Sequence, residues 1–298
     1  MSEAVNRKSV LLTERDTKLL LDFYKYRYLS VSQIQGLYFP SEQTTYRRLR
    51  ALRSGGYIKG FNVPNITEQI FCLDKAGAET VAGSLQIDSA DLKWKESAGT
   101  PKDYYFLRHF LNVNDFRIAL NQACGRSSIK LLGFIPEYYG EKTPRGGISK
   151  YIKDVVCDIR DGSDQISHTP DGVFALEKDG KPALFFLEID RGTEVVSSSE
   201  KGVLKSLRFY LNYLLDGKYQ RYQRDFNCAQ FKGFRALIVT NLTARLEHFR
   251  EAAEKLTFPD HSKRFIWLAT EDEITPETLF NSIWKSLDVR DSTKYGIT

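Results

Sequence analysis

The sequence predicts an α/β chain, α+β overall, in which a small helical domain precedes a larger mixed-sheet domain. Three capped stretches with helical periodicity come first, and two short apolar segments with a turn between them follow. Apolar strands then alternate with amphipathic helices, which indicates a sheet covered on both faces with a parallel portion. At 298 residues the chain is long enough for two domains.

The first two predicted helices are marked by their caps. Thr13, with Asp16 three residues later, has the pattern of a capping box, and apolar residues at helical spacing follow. The second helix, SVSQIQGLYF, can begin at Ser30 or Ser32 and ends before Pro40.

The third predicted helix begins at the cap Ser41 and ends at Gly55-Gly56. The segments YIKGFNV and QIFCLD can then pair as strands around the turn Pro64-Asn65. Three short helices and a hairpin, with a basic outer face on the third helix, are typical of a winged helix-turn-helix. We therefore predict a DNA-binding domain over residues 10–83. Its expected contacts to DNA are Gln43, Thr44, Arg47, Arg48, Arg50 and Lys59.

The charge distribution favours the same interpretation. Residues 1–62 hold eleven Lys or Arg against five Asp or Glu, a balance of +6 in a chain whose net charge is +5. Excess positive charge in one segment indicates a polyanionic partner. Two alternatives stay open: the arginines form a solvated helix face, or the domain binds a protein.

Residues 84–103 are polar and predict a linker, and residues 104–298 predict the mixed-sheet domain. Its predicted elements, in order, are a long helix over 104–124, strand IKLLGFIPE, a weak strand YIKDVVCDI, strands PDGVFALE and ALFFLEID joined by the turn at 178–181, a helix over SSEKGVLKSLRFYLNYLL, strand FRALIVT, helix ARLEHFREAAEKL, strand RFIWLAT and helix PETLFNSIWKSL.

Three acids lie at the ends of the two hairpin strands. Glu188 and Asp190 are two residues apart on one strand and share a face, and Asp171 begins the partner strand. Converging carboxylates need a counter-ion, and oxygen ligands suit a hard divalent cation that activates water or polarises a phosphodiester. The sequence thus predicts Asp171, Glu188 and Asp190 as ligands of Mg²⁺ or Mn²⁺. The alternative is three exposed acids paired with Arg191, Lys181 and Lys201.

Pro170-Asp171, a hairpin and Glu188-Ile189-Asp190 resemble the PD-(D/E)xK nuclease core. HTPDGVFAL followed by FFLEIDRGTE, after a winged helix and the helix LRHFLNVNDFRIAL, resembles the replication-relaxation family, which overlaps the MOBC relaxases. The resemblance covers roughly residues 12–240. It implies a restriction-endonuclease-like domain, with catalytic roles for Asp171, Glu188 and Asp190.

One residue departs from the nuclease motif. Its final position is a lysine, where this chain has Asp190. The basic group could come from Lys201, Lys205 or Arg191, or the site could be inactive. His168 is a further candidate, as a ligand, a proton donor or a surface histidine.

The resemblance implies a relaxase that nicks double-stranded DNA at a transfer or replication origin. A conjugation coupling or accessory protein is an expected partner. The alternatives are a non-catalytic replication or transcription regulator, and a double-strand endonuclease acting as a homodimer. The sequence has no GxxxxGK[ST] motif, no CxxC pair and no long apolar segment, so ATP-driven activity, a zinc ribbon and a membrane location are not expected. We expect a cytoplasmic protein.

Overall fold

A computed structural model describes residues 10–94, 104–142, 147–158, 164–192, 202–256, 258 and 263–297. The chain divides into two compact units, residues 1–115 and 116–298. Each unit is a mixture of helices and antiparallel or mixed β-sheet.

The first unit contains the three predicted helices, each beginning at a predicted cap. Thr13 forms a capping box with Asp16, Ser30 rather than Ser32 caps the second helix, and Ser41 caps the third. Three strands form an antiparallel sheet in the order β1-β3-β2. The elements are α1 (Glu14–Tyr26), β1 (Leu29–Ser30), α2 (Val31–Tyr38), α3 (Glu42–Ser54), β2 (Ile58–Phe61), β3 (Ile70–Leu73) and α4 (Lys75–Leu85).

An apolar core holds these elements together. Its side chains include Leu19, Leu20, Phe23, Leu49, Leu52 and Ile70, each at most 1% exposed. Complete burial of such a side chain contributes about 1.5–3 kcal/mol. The following helix, α5 (Tyr104–Gly125), adds a polar tie, because the Asn114 amide donates to the carbonyls of Tyr26 (3.0 Å) and Tyr28 (2.8 Å).

A buried ion pair fixes α3 to the start of α1. Asp16 is fully buried, and the Arg48 guanidinium donates to both of its carboxylate oxygens at 2.8 and 2.5 Å. The same guanidinium donates to the Leu11 carbonyl at 2.9 Å. Because the Arg48 pair and the Thr13 hydroxyl both favour the charged form, the pKa of Asp16 is lowered despite its burial.

The second unit is built on a seven-stranded mixed sheet in the order β14-β13-β12-β11-β10-β9-β4. Strands β10, β11 and β12 are parallel, and the other pairs are antiparallel. The sheet strands are β4 (Lys130–Pro136), β9 (Gly172–Lys178), β10 (Lys181–Asp190), β11 (Phe234–Thr240), β12 (Ile266–Thr270), β13 (Trp284–Ser286) and β14 (Lys294–Tyr295). Two ribbons pair β5 (Gly140–Lys142) with β6 (Ile148–Lys150) and β7 (Asp154–Cys157) with β8 (Gln165–His168). The helices are α6 (Val203–Asp216), α7 (Tyr222–Phe226) and α8 (Thr243–Glu254).

The predicted hairpin of β9 and β10 forms around a tight turn. Asp179 and Gly180 both have positive φ, 51° and 71°, as a two-residue type I′ turn requires. The register begins at Lys181 opposite Lys178 and continues to Leu187 opposite Gly172.

Helices cover both faces of this hairpin. On one face Phe186 of β10 contacts Tyr210 and Tyr213 of α6, with ring centroids 5.7 Å apart in both pairs. On the other face the ring centroids of Phe174 on β9 and Phe116 on α5 are 5.8 Å apart. Glu188 and Asp190 continue the alternation begun by Phe186, so the two acids share one face of β10, as predicted.

The predicted helix PETLFNSIWKSL is wrong: residues 276–283 form turns and a bend, and a strand follows them. Trp284–Ser286 forms β13, in which Ser286 pairs with Trp267 of β12. The Trp284 side chain is fully buried, and its indole donates to the Leu279 carbonyl at 3.0 Å. Pairing with the sheet edge and burial of the indole outweigh the local helical pattern. In the described part of the chain, none of the helices combines the length and apolar composition needed to cross a membrane.

We predict that Arg48→Ala lowers the free energy of unfolding by about 3 kcal/mol, because it leaves the buried Asp16 carboxylate without its ion pair. The measurement is urea unfolding followed by circular dichroism. Arg47→Ala is the matched control, since Arg47 is exposed on the same helix and its truncation should change stability by less than about 0.5 kcal/mol. Equal losses in the two variants would contradict a structural role for Arg48.

Candidate active site

The candidate site lies where β9 begins and β10 ends. Asp171 directly precedes β9, and its backbone N–H donates to the Leu187 carbonyl at 2.9 Å. Its carboxylate accepts the Ile189 N–H at 2.7 Å. These two hydrogen bonds fix Asp171 beside the last residues of β10, where Glu188 lies. The antiparallel register of β9 and β10 therefore brings the two predicted acids together.

Glu137, which the sequence prediction missed, adds a third carboxylate to this region. It follows the last residue of β4, and its N–H donates to the Asp171 carbonyl at 3.1 Å. One carboxylate oxygen of Glu137 and one of Asp171 lie within 4.8 Å of each other. Glu137 also forms an ion pair with Lys150 of β6. The signal for Glu137 was its place at the end of the predicted strand IKLLGFIPE; this strand pairs with β9 and ends opposite Gly172, next to Asp171.

The Glu188 side chain is largely buried and has two hydrogen-bond partners. Its Oε1 contacts His168 Nε2 at 2.6 Å and accepts the Tyr210 hydroxyl, so neither partner occupies Oε2. The side chains of His168 and Glu188 are 14% and 18% exposed. Burial raises the pKa of Glu188, and the Asp171 charge adds to that rise, while His168 and Tyr210 partly offset it.

Tyr210 is fully buried, and burial together with the Glu188 charge raises the pKa of its hydroxyl well above its usual value. It therefore remains neutral and acts as a hydrogen-bond donor to Glu188. This position makes Tyr210 a packing and orienting residue of α6.

Asp190 lies on the same face of β10 but has a different partner. Arg245 of α8 donates to both carboxylate oxygens, from Nε at 2.7 Å and from Nη2 at 3.0 Å. The two side chains are 13% and 9% exposed, and Thr240 lies 3.4 Å from the same carboxylate. A bidentate ion pair of this kind neutralises Asp190 and fixes the guanidinium at the end of β10.

The predicted basic residues have different outcomes. Lys201 lies outside the described residues, while Arg191 follows β10 and Lys205 lies in the first turn of α6, both half-buried. Arg245 was not predicted. Its sequence context is an ordinary helix start after a strand, and its contact to Asp190 spans 55 positions.

The six residues predicted to contact DNA divide into two groups. Gln43, Arg47 and Arg50 are exposed on α3. The other three make structural contacts: Thr44 donates to the Ser41 carbonyl at 2.8 Å, Arg48 pairs with Asp16, and Lys59 lies 3.5 Å from Asp74.

Comparison with known proteins gives a family and one distant structure. The model of the family described as Replication-relaxation matches residues 20–227. No curated protein matches the chain. Among solved structures, restriction endonuclease FokI is similar at 11% identity and a TM-score of 0.29, over 90% of this chain and 45% of the FokI chain. The chain thus spans less than half the length of that protein.

We predict that Glu188→Gln raises the Tm at pH 7.5 in EDTA. A carboxyl whose pKa is higher in the folded chain than in the unfolded chain stabilises the fold while it is protonated. This contribution is complete below the unfolded-state pKa of about 4.5, and it is lost as the pH rises through the folded-state pKa. Glutamine does not ionise, so it avoids this loss. The gain should therefore shrink as the pH falls toward 4.5.

The measurement is thermal unfolding over a pH series, with Glu251→Gln, an exposed acid on α8, as the control. A Tm for Glu188→Gln that is lower than wild type at pH 7.5 would show that the contacts to His168 and Tyr210 outweigh the burial of the charge.

Proposed function

The chain belongs to the Replication-relaxation family, whose model covers residues 20–227, and from this membership we propose that it is a relaxase-type DNA-processing protein. It binds a specific double-stranded site at a transfer or replication origin of a mobile element. It then nicks one strand with Mg²⁺ or Mn²⁺.

The observation that carries the proposal is the placement of the Asp171 and Glu137 carboxylates close to each other. Divalent cations bind oxygen ligands at about 2.0–2.6 Å, so two oxygens within 4.8 Å of each other can share one ion. Asp171 and Glu137 meet this condition. A metal held here would supply Lewis acidity toward the phosphodiester and lower the pKa of a bound water.

The other residues of the site orient and balance these acids. His168 and Tyr210 hold Glu188 through Oε1. The motif lysine of PD-(D/E)xK nucleases has no counterpart at Asp190, and Arg245 supplies positive charge at that position instead. We assign to this guanidinium the stabilisation of negative charge on the scissile phosphate, because it is fixed by two hydrogen bonds and needs no rearrangement.

The first unit is the proposed DNA-binding domain, a winged helix-turn-helix. The order of α1, β1, α2, α3, β2 and β3 supports this assignment. So does the exposure of Gln43, Arg47 and Arg50 along one helix. Amide and guanidinium groups read base edges in the major groove, and the arginines also contact phosphates.

One observation favours a second candidate function. The Asp190–Arg245 pair occupies one of the three acids that the sequence predicts as metal ligands. A chain with this arrangement and no metal affinity would be a non-catalytic replication or transcription regulator that uses the first unit to bind DNA.

We predict that Asp171→Asn abolishes nicking of a supercoiled plasmid that carries the protein's genetic neighbourhood. It should also abolish the rise in Tm caused by Mn²⁺. For wild type at ten times Kd the stabilisation is about 1.4 kcal/mol, or about 4 °C for a domain of this size. The matched control is Asp179→Asn, the same change in the exposed turn at the other end of the hairpin. If wild type neither nicks nor responds to Mn²⁺ but still shifts the plasmid in a gel, the regulator is supported instead.

We predict that the double change Arg47→Ala and Arg50→Ala weakens DNA binding and reduces the slope of log K against log salt by about 2, because two phosphate contacts are removed. Fluorescence anisotropy with a duplex from the origin region, over a salt series, measures both quantities. Lys18→Ala with Lys75→Ala removes two exposed cations from α1 and α4 and serves as the control. An equal loss in the control would assign binding to overall charge and not to α3.

A further inference from the structure

A cleft of about 590 Å³ opens at the turn end of the β9–β10 hairpin. We name it the hairpin-end cleft, and its rim carries Lys178, Lys181, Lys232 and Arg235. Nine residue steps along β10 separate Lys181 from Asp190, which at about 3.3 Å per residue is about 30 Å. The cleft is therefore separate from the candidate active site, although both are built on the same two strands.

Small residues create the space in the cleft. Pro182, Ala183 and Gly233 line it, and Ala183 is exposed although it lies within a sheet strand. The walls around them are largely apolar and include Leu176 and Phe185. A larger side chain at Ala183 would fill the cleft. Its volume lies within the range of about 300–1,000 Å³ that small-molecule sites usually have.

The rim has a clear excess of positive charge. Lys178, Lys181 and Lys232 are exposed and form no ion pair with any residue of the described ranges. The Arg235 guanidinium lies 5.0 Å from the centre of the Trp267 ring, which fixes it at the cleft wall. Asp179 is the acid that lines the cleft beside these four cations. A ligand that neutralises the positive charge of this rim needs two or more negative charges.

We propose that the hairpin-end cleft binds a nucleoside polyphosphate. The sugar and base lie on the apolar surface around Ala183, and the phosphates contact the rim cations. Several charges concentrated on one end of a compact ligand fit four cations around a single cleft better than the one charge per residue of an acidic peptide. The sequence lacks a phosphate-binding GxxxxGK[ST] loop, so in this proposal side chains bind the phosphates. The nucleotide is a bound ligand and is not hydrolysed.

The test is isothermal titration calorimetry of the full-length protein with ATP in EDTA, which prevents divalent cations from bringing ATP to the acidic site. Wild type should bind ATP, and Lys232→Glu should weaken binding at least about ten-fold, a change of about 1.4 kcal/mol. Lys255→Glu, the same reversal at an exposed lysine after α8, should leave the affinity unchanged. Ala183→Phe should also abolish binding with all four cations in place, while Ala183→Ser should retain it.

Three results would overturn the proposal. The first is no binding of ATP by wild type at about 1 mM. The second is inorganic tripolyphosphate binding as tightly as ATP, since the apolar surface would then contribute nothing. The third is displacement of ATP by a single-stranded oligonucleotide of about ten residues that binds more tightly than ATP, which would assign the cleft to a DNA strand. Plasmid nicking is measured separately, so failure here leaves the proposed function of the acidic site standing.

Discussion

The antiparallel pairing of β9 with β10 is the constraint on which the second unit depends. Its register, fixed by the turn at Asp179 and Gly180, continues to Gly172 opposite Leu187 and so brings Asp171 next to Glu188. A slip of one residue would turn Phe186, Glu188 and Asp190 toward the opposite face of the sheet. The acids would then lose His168, Tyr210 and Arg245 together. The hairpin also carries β4 on one side and the parallel strand β11 on the other, so both sheet edges are built outward from it.

Three carboxylates that look equivalent in the sequence have three different environments. Asp171 is fixed by backbone hydrogen bonds and lies near Glu137, Glu188 is buried against neutral and ionisable donors, and Asp190 is neutralised by Arg245. Each environment comes from a different element: the start of β9, helix α6 and helix α8. Side chains of one chemical type therefore acquire distinct environments at one end of the hairpin.

The sequence predicted those features that depend on local chemistry. Capping residues placed α1, α2 and α3, and an Asp-Gly turn between apolar strands placed the hairpin. The acids on β10 could be assigned to one face because strands alternate with a period of two. Long-range partners had no such signal. Arg245, Glu137 and the β13 strand acquire their roles only from elements far away in the chain, and propensity within a window does not record such contacts.

Neighbouring arginines on α3 have opposite surroundings, and this decides which positions of the helix tolerate substitution. Arg48 is committed to the buried Asp16 and fixes the helix against α1, whereas Gln43, Arg47 and Arg50 project from the helix without a part in that contact. The outward positions can be substituted while the frame that presents them is kept. A library randomised at those three positions, with Arg48 held constant, would change the exposed face of α3 on an unchanged scaffold.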